Sequence, residues 1–368
     1  MLCNCLCGDF LIKKVYEASI NYLQIMDENG NVDMQLFPQG IDDNKIIEMY
    51  RFMALARAMD AKVLSLQRQG RAVTYGPLLG EEATQIGSAY AMREGDFFVP
   101  TFRQHGVYIV RGLPLDKFFI FAKGYEDGVS KSEDVGGTPE IVPVSTQLPH
   151  AAGIAYAKKY RKEDSAVITY VGDGGTSEGD FYEAINFAGL FKVPMVLIIE
   201  NNQWAISVPR KKQTAAETLA QKALAGGVPC MQVDGNDVLA VYKATKDAID
   251  NSKAGPTVIE CITYRMSLHT TADDPTKYRP DSEVEAWKPK DPMLRVRKYL
   301  EKKGLWDDQK EQQMNADNSR TIDAAVEKAE QFKMDPNSMF NNVYSLMPDV
   351  LKEERDEALA ANFWQGQQ

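Results

Sequence analysis

Asp173, set between Gly172 and Gly174, and the pair Asn201-Asn202 carry the clearest chemistry in this chain, and 26 residues separate the two groups. One hard carboxylate, one amide oxygen and glycines that let backbone N–H groups approach an anion suit a small oxygen-seeking cation such as Mg2+. Such a cation keeps few protein ligands and completes its shell from phosphate and water. The residues therefore call for a diphosphate held with a divalent metal.

The flanking sequence supplies elements that bring the two groups together. Two apolar, β-branched runs, 166–171 and 194–199, enclose a stretch with helical spacing at Phe181, Ala184, Ile185, Ala188 and Phe191, and Ser177 with Asp180 has the form of a capping box. A strand-helix-strand unit of this kind crosses over right-handed. Its strands are parallel, and both open on the sheet edge where α/β sheets bind ligands. The helix following Gly175 aims its amino end at the same place. Rival phosphate motifs are absent: Ser177 stands where a dinucleotide fingerprint needs its third glycine, and no G-x-x-x-x-G-K-[ST] loop occurs.

Further helices are expected at 44–69 and 81–92, followed by short elements through Val99 and at 104–111 and 115–121, with 124–143 an exposed loop near the site. From Leu148 helices and strands alternate: a helix at 215–225, a strand at 230–233, a helix at 238–250 and a strand at 257–264. That order implies an α/β fold with a doubly wound parallel sheet, and helical extensions at both ends. Residues 1–41 read as an N-terminal extension, 42–283 as the ligand-binding domain, and 284–368 as a helical region packing on that domain and on partner subunits. Arg103 offers a planar fork for phosphate oxygens. Of three histidines, His150 opens a helix and reads as structural, while His105, just after Arg103, reads equally as cleft-lining or buried. His269, in the polar stretch LHTTADDPT after the last strand, falls on the ligand edge. Arg265 and Arg279 are expected to pair with Asp273 or Asp274.

A net charge of −10 argues against nucleic acid, and no run of residues is apolar enough for a membrane span. Five cysteines, three of them in Cys3-x-Cys5-x-Cys7, lack zinc-site spacing; they fit a frayed terminus, with Cys230 and Cys261 in the core, and a reducing compartment. The cytoplasm is the expected location.

The G-D-G…N-N spacing resembles the thiamine diphosphate signature. Together with 68–92 (RQGRAVTYGPLLGEEATQIGSAYAM), Phe102-Arg103, 143–149 (PVSTQLP), 233–242 (VDGNDVLAVY) and 264–279 (YRMSLHTTADDPTKYR), the chain resembles the alpha subunit of the decarboxylating component of 2-oxo acid dehydrogenase complexes, most nearly the bacterial pyruvate type. The resemblance implies the diphosphate-type module of the thiamine diphosphate-binding fold. It implies thiamine diphosphate and Mg2+ as cofactors, with Asp173, Asn202 and the carbonyl of Trp204 on the metal. Phe102, Arg103, Val144, Gly174, Gly175 and His269 would join Asp173 and Asn202 around the cofactor. His269 would be catalytic, on a loop that closes over the diphosphate and helps pass the acyl group onward. Phe102 departs from the family's usual tyrosine, so a hydroxyl contact there is lost. Thr270 matches a region where related mitochondrial enzymes are phosphorylated.

The resemblance further implies that the activating glutamate comes from a beta subunit in an alpha2-beta2 heterotetramer, with Glu81-Glu82 structural. The acyl group would pass to a lipoyl-bearing dihydrolipoamide acyltransferase core. Pyruvate is the expected substrate; a branched-chain 2-oxo acid or acetoin enzyme, or a non-catalytic scaffold subunit, are the alternatives.

Overall fold

The computed structural model describes residues 14–129 and 132–361. In chain order the elements are β1 (Tyr22–Leu23), α1 (Asp43–Arg68), α2 (Glu82–Tyr90), β2 (Phe97–Val99), α3 (His105–Arg111), α4 (Leu115–Ala122), α5 (Gln147–Tyr160) and β3 (Val167–Gly172). Then follow α6 (Gly179–Phe191), β4 (Met195–Asn201), the short hairpin β5 (Trp204–Ala205) and β6 (Val208–Pro209), β7 (Cys230–Asp234), α7 (Val238–Asp250) and β8 (Thr257–Ile262). The chain ends in α8 (Asp281–Trp287), α9 (Pro292–Lys302), α10 (Asp308–Glu330), α11 (Ser338–Asn341) and α12 (Asp349–Ala360).

Six strands form one parallel sheet in the order β1-β7-β8-β4-β3-β2. Strands β3 and β4 read as continuous apolar runs because both faces are covered. Ile168, Tyr170, Val196 and Ile198 pack under α1, α2, α3, α7 and α9. Val167, Val171, Leu197 and Ile199 pack under α5 and α6. A third cluster joins the far half of α1 to α4 and α10 through Met59, Val63, Phe118, Phe119, Ile322 and Val326. The C-terminal helices α9 and α10 thus contribute to the same body as the sheet.

The N-terminal extension differs from the helical expectation. Its described part holds β1 and turns, and it is fixed by Asp237, which caps α7 through the N–H groups of Leu239 and Ala240 (3.0 and 3.2 Å) and also accepts from Ile25 N and Met26 N, both at 2.6 Å. Burial pushes the Asp237 carboxyl up to about 6 even with these donors. A two-residue strand has too little periodicity to be seen in sequence.

Three other expectations are corrected. The segment 215–225 is no α-helix: a 3-10 turn occupies Ala220–Gly226. A Cβ on Gly189 of α6 would lie 2.1 Å from Gly226 O, so the chain there is pressed too closely on α6 to build a full helix. Ser177 does not cap α6. It closes a 3-10 turn, Gly174–Ser177, and α6 starts two residues later with Glu178 at its N-cap position. The segment 124–143 is only partly exposed: Gly128, Val129 and Ser132 are buried, and a Cβ on Gly128 would meet Lys117 O at 2.2 Å. Its glycines serve close approach as much as freedom. The Cys3-Cys5-Cys7 cluster lies outside the described residues. Cys230 is half-buried and Cys261 buried, both unpaired. Among the described residues no helix is long and apolar enough to cross a membrane.

Candidate functional site

Strands β3 and β4 are paired up to Gly172 opposite Glu200, so Asp173 and Asn202 leave the same sheet edge side by side. They line one cavity of about 270 Å³, together with Glu81, Phe102, Arg103, Val144, Gly174, Gly175, Glu200, Trp204 and His269. Every residue singled out for the site by sequence is in this wall. His105 and His150 are not: His150 is exposed on the first turn of α5, and His105 is buried, stacked on Tyr75 at 4.6 Å with its Nε2 3.1 Å from Gly76 O.

Asp173 is 1% exposed, and its Oδ2 has no hydrogen-bond partner. Burial, then the nearby Glu81 carboxylate, push its carboxyl up to about 7. A buried, unpartnered carboxyl oxygen of this kind is free to accept a cation. The Asn202 amide is held on both sides: Nδ2 donates to Glu81 Oε1 (2.8 Å), and Oδ1 accepts from Trp204 N (3.2 Å). The Trp204 carbonyl accepts from Arg265 Nη1 at 3.2 Å. A carbonyl or amide oxygen carries two lone pairs, so both oxygens retain capacity for a metal. The Trp204 indole ties α8 to the site by donating to Glu283 Oε2 (3.2 Å).

The turn after Asp173 is built for close approach. A Cβ on Gly175 would lie 2.4 Å from Val171 Cγ2 and 2.6 Å from Ser145 Oγ, so only glycine fits. Ser145, at φ +69°, donates its hydroxyl to Gly175 O (2.7 Å), which places the neighbouring Val144 on the cavity rim. From behind, the buried Lys222 donates Nζ to Thr176 O (2.8 Å) and Thr176 Oγ1 (2.9 Å). An unpartnered carboxylate oxygen, an amide oxygen, a carbonyl and a glycine turn that admits backbone but no side chain fit a divalent cation carrying a diphosphate.

Arg103 is 5% exposed and helps shape the wall. Nη1 donates to Pro77 O (2.5 Å), Nη2 donates to His269 Nδ1 and O (3.1 Å each), and the guanidinium lies over the Phe102 ring at 5.3 Å. Five N–H donors leave it capacity for a phosphate oxygen. His269 Nδ1 also faces Arg265 Nη1 at 3.2 Å. Because both arginines only donate, Nδ1 must be the lone pair and the ring proton sits on Nε2. Burial, then Arg103 and Arg265, bring the imidazole down to about 3, so it is neutral at physiological pH.

The arginine–aspartate pairs expected in the loop are absent. Asp273 accepts instead from His269 N (2.8 Å) and Tyr278 OH (2.5 Å), Asp274 caps Thr276 N (3.2 Å), and Arg279 Nη1 donates to Arg265 O (2.5 Å). Tyr278 links the two charges, since its oxygen accepts from Arg265 Nη2 at 2.8 Å. The pair Glu81-Glu82 also divides. Glu82 pairs with Arg57 (2.7 Å) and accepts from Gly80 N (2.9 Å), as a structural residue would, whereas Glu81 faces the cavity. Sequence reasoning missed Glu200, Ser145 and Lys222. Only Glu200, an acid ending an apolar strand, gave a signal. Burial, then Glu81, hold its carboxyl well above the usual range.

The family profile described as dehydrogenase E1 component matches residues 50–338, a span that holds every wall residue named above. The chain belongs to that family. Its E1 relatives include the "Pyruvate dehydrogenase E1 component subunit alpha" of Staphylococcus aureus (strain Mu50 / ATCC 700699), 44% identical over 342 residues, 92% of each chain. The protein of the same name from Staphylococcus epidermidis (strain ATCC 35984, RP62A) is 43% identical over 350 residues, 94% of this chain and 93% of the relative. The similarity to these relatives extends beyond the span of the family profile, over more than nine-tenths of this chain.

Proposed function

We propose that this chain is the alpha subunit of an acetyl-transferring pyruvate dehydrogenase component, dependent on thiamine diphosphate and Mg2+. The reading is carried by one observation: the unpartnered Asp173 carboxylate beside Asn202 on the open sheet edge, in a chain 44% identical to a pyruvate dehydrogenase alpha subunit. Asp173 Oδ2, Asn202 Oδ1 and the Trp204 carbonyl would hold the metal. Arg103 and the N–H groups of Gly174 and Gly175 would hold the diphosphate, and Val144 and Phe102 would border the rings. Thiamine diphosphate, when bound, supplies the nucleophilic carbon and the electron sink that decarboxylation of a 2-oxo acid requires. His269, neutral and protonated at Nε2, is suited to donate a hydrogen bond to a developing oxyanion without adding a full charge.

Residues 42–283 then serve as the cofactor domain, and 284–368 as support for it and as a surface for partners. The cavity rim is apolar and open: Val142, Val144 and Ile206 are 61%, 55% and 56% exposed. A beta subunit in an alpha2-beta2 assembly would cover it and bring the activating glutamate. The acyl group would pass to a lipoyl-bearing dihydrolipoamide acyltransferase core, in the cytoplasm. The test is to co-express the chain with its beta partner and assay pyruvate, 3-methyl-2-oxobutanoate and acetoin side by side. Turnover highest on pyruvate is expected; preference for either other substrate would reassign the specificity, and none with any would favour a scaffold role.

A further inference from the structure

Asn202 can serve a metal only if its oxygen, and not its nitrogen, faces the cation. The two ends of an amide are nearly equal in shape, so the surroundings must choose. On one side Trp204 N is an obligate donor and takes Oδ1 at 3.2 Å. On the other, Glu81 Oε1 lies 2.8 Å from Nδ2. Glu81 is itself 0% exposed and arrives from just before α2, 121 residues away in sequence. The same oxygen is 3.9 Å from Arg103 Nε. One buried carboxylate therefore stands between the amide argued to hold the metal and the arginine argued to hold the phosphate.

We infer that Glu81 is a positioning residue of the cation site: by accepting from Asn202 Nδ2 it locks the amide with Oδ1 available to the metal, and it keeps Arg103 aligned beside it. The inference rests on the reading of Asp173 and Asn202 as cation ligands. It differs from the expectation that both glutamates of the pair are structural, since only Glu82 spends its oxygens on Arg57 and backbone. Without Glu81, Trp204 N alone opposes rotation of the amide, and the flipped rotamer would present Nδ2 to the cation. Partners that orient metal ligands typically change metal affinity by about 10–100-fold when removed.

The experiment uses the chain assembled with its beta subunit and reads binding, with Mn2+ followed by electron paramagnetic resonance and thiamine diphosphate by calorimetry. Glu81→Ala is expected to weaken Mn2+ binding by about 10–100-fold. Glu81→Gln, which keeps an acceptor oxygen, is expected to stay within a few-fold of the parent, by the same reasoning. In an Asn202→Asp background the sign reverses. An aspartate needs no orienting partner and is repelled by Glu81, so Glu81→Ala there should strengthen Mn2+ binding. Equal weakening in both backgrounds would mean that Glu81 only packs, and overturns the inference. Parental Mn2+ binding by Glu81→Ala, while Asp173→Ala loses it, overturns the inference but leaves the cation site standing. Parental binding by Asp173→Ala overturns the cation site, and the inference with it. Co-elution with the beta subunit and the melting temperature monitor folding, and the Glu81→Gln arm stands even if the alanine variant fails to assemble.

Discussion

At the scale of single residues the site is governed by burial of charge. Desolvation, then Glu81, push the Asp173 carboxyl up to about 7, so a cation bound there would favour its ionised form. Asp173→Ala should abolish Mg2+-dependent retention of thiamine diphosphate while leaving the fold intact; calorimetry with the beta subunit present is the check, and equal affinity in mutant and parent would sink the assignment. His269 shows the opposite case, a base kept neutral by burial and two arginines. Its folded value, about 3, lies below the usual 6.5, so between those limits the unfolded chain binds the extra proton. Stability from this group is therefore full above about pH 6.5 and is lost as the pH falls toward 3. Two results are expected: the His269 ring signal shows no titration by NMR between pH 8 and 5, and His269→Gln loses less stability than the parent on acidification to pH 4. A titration near 6.5 would contradict the two-arginine geometry.

Elements position these residues, and here the sequence was legible where a pattern was local. The β3-α6-β4 unit follows from two apolar runs and a helical period, and it alone brings Asp173 to Asn202. The helix expected at 44–69 was equally readable, because its capping residue, Asp42, which accepts from Lys45 N, adjoins it. What stayed hidden depends on partners far along the chain: Glu81 turning into the cavity, Tyr278 mediating between Arg265 and Asp273, and Lys222 reaching back to Thr176. No local period encodes such contacts. The Gly174–Ser177 turn is fixed by Ser145 on one side and Lys222 on the other, each through its backbone or a threonine. Hydrogen bonds from a charged donor contribute about 1.5–3 kcal/mol each. Lys222→Met should accordingly weaken thiamine diphosphate binding by about tenfold while sparing Mn2+ binding in the absence of diphosphate; an unchanged Kd would show that Ser145 alone suffices. Thr270 sits in the loop whose Asp273 already accepts from His269 N and Tyr278 OH. A carboxylate added by Thr270→Glu should repel both Asp273 and the diphosphate. At least a tenfold loss of overall activity is expected, with slower cofactor-induced protection of 267–279 from protease, and full activity would separate this loop from the site.

For the whole molecule, the decisive fact is that the cavity has one finished wall and one open rim. The finished wall is polar and interlocked: Asp173, Asn202, Glu81, Arg103 and His269 are connected by hydrogen bonds or charge, and all but the half-buried His269 are shielded from water. The rim, made of Val142, Val144 and Ile206, leaves apolar side chains in solvent, as expected of surface that a partner removes from water. A ligand held only by the wall gains the diphosphate contacts but leaves its rings exposed, and of the glutamates that line the cavity Glu81 is engaged by Asn202 and Glu200 by Gln104, while Glu178 is exposed. Isolated alpha chain should therefore bind thiamine diphosphate weakly and decarboxylate no 2-oxo acid. Adding the beta chain should restore binding and turnover together, because one interface both closes the cavity and delivers the missing acid. The measurement is decarboxylation with an artificial electron acceptor at saturating Mg2+ and thiamine diphosphate, alpha alone against alpha with beta. Substantial turnover by rigorously beta-free alpha would place the activating acid in this chain. Glu81, Glu178 and Glu200, the glutamates that line the cavity with Asp173, would then be the first to replace.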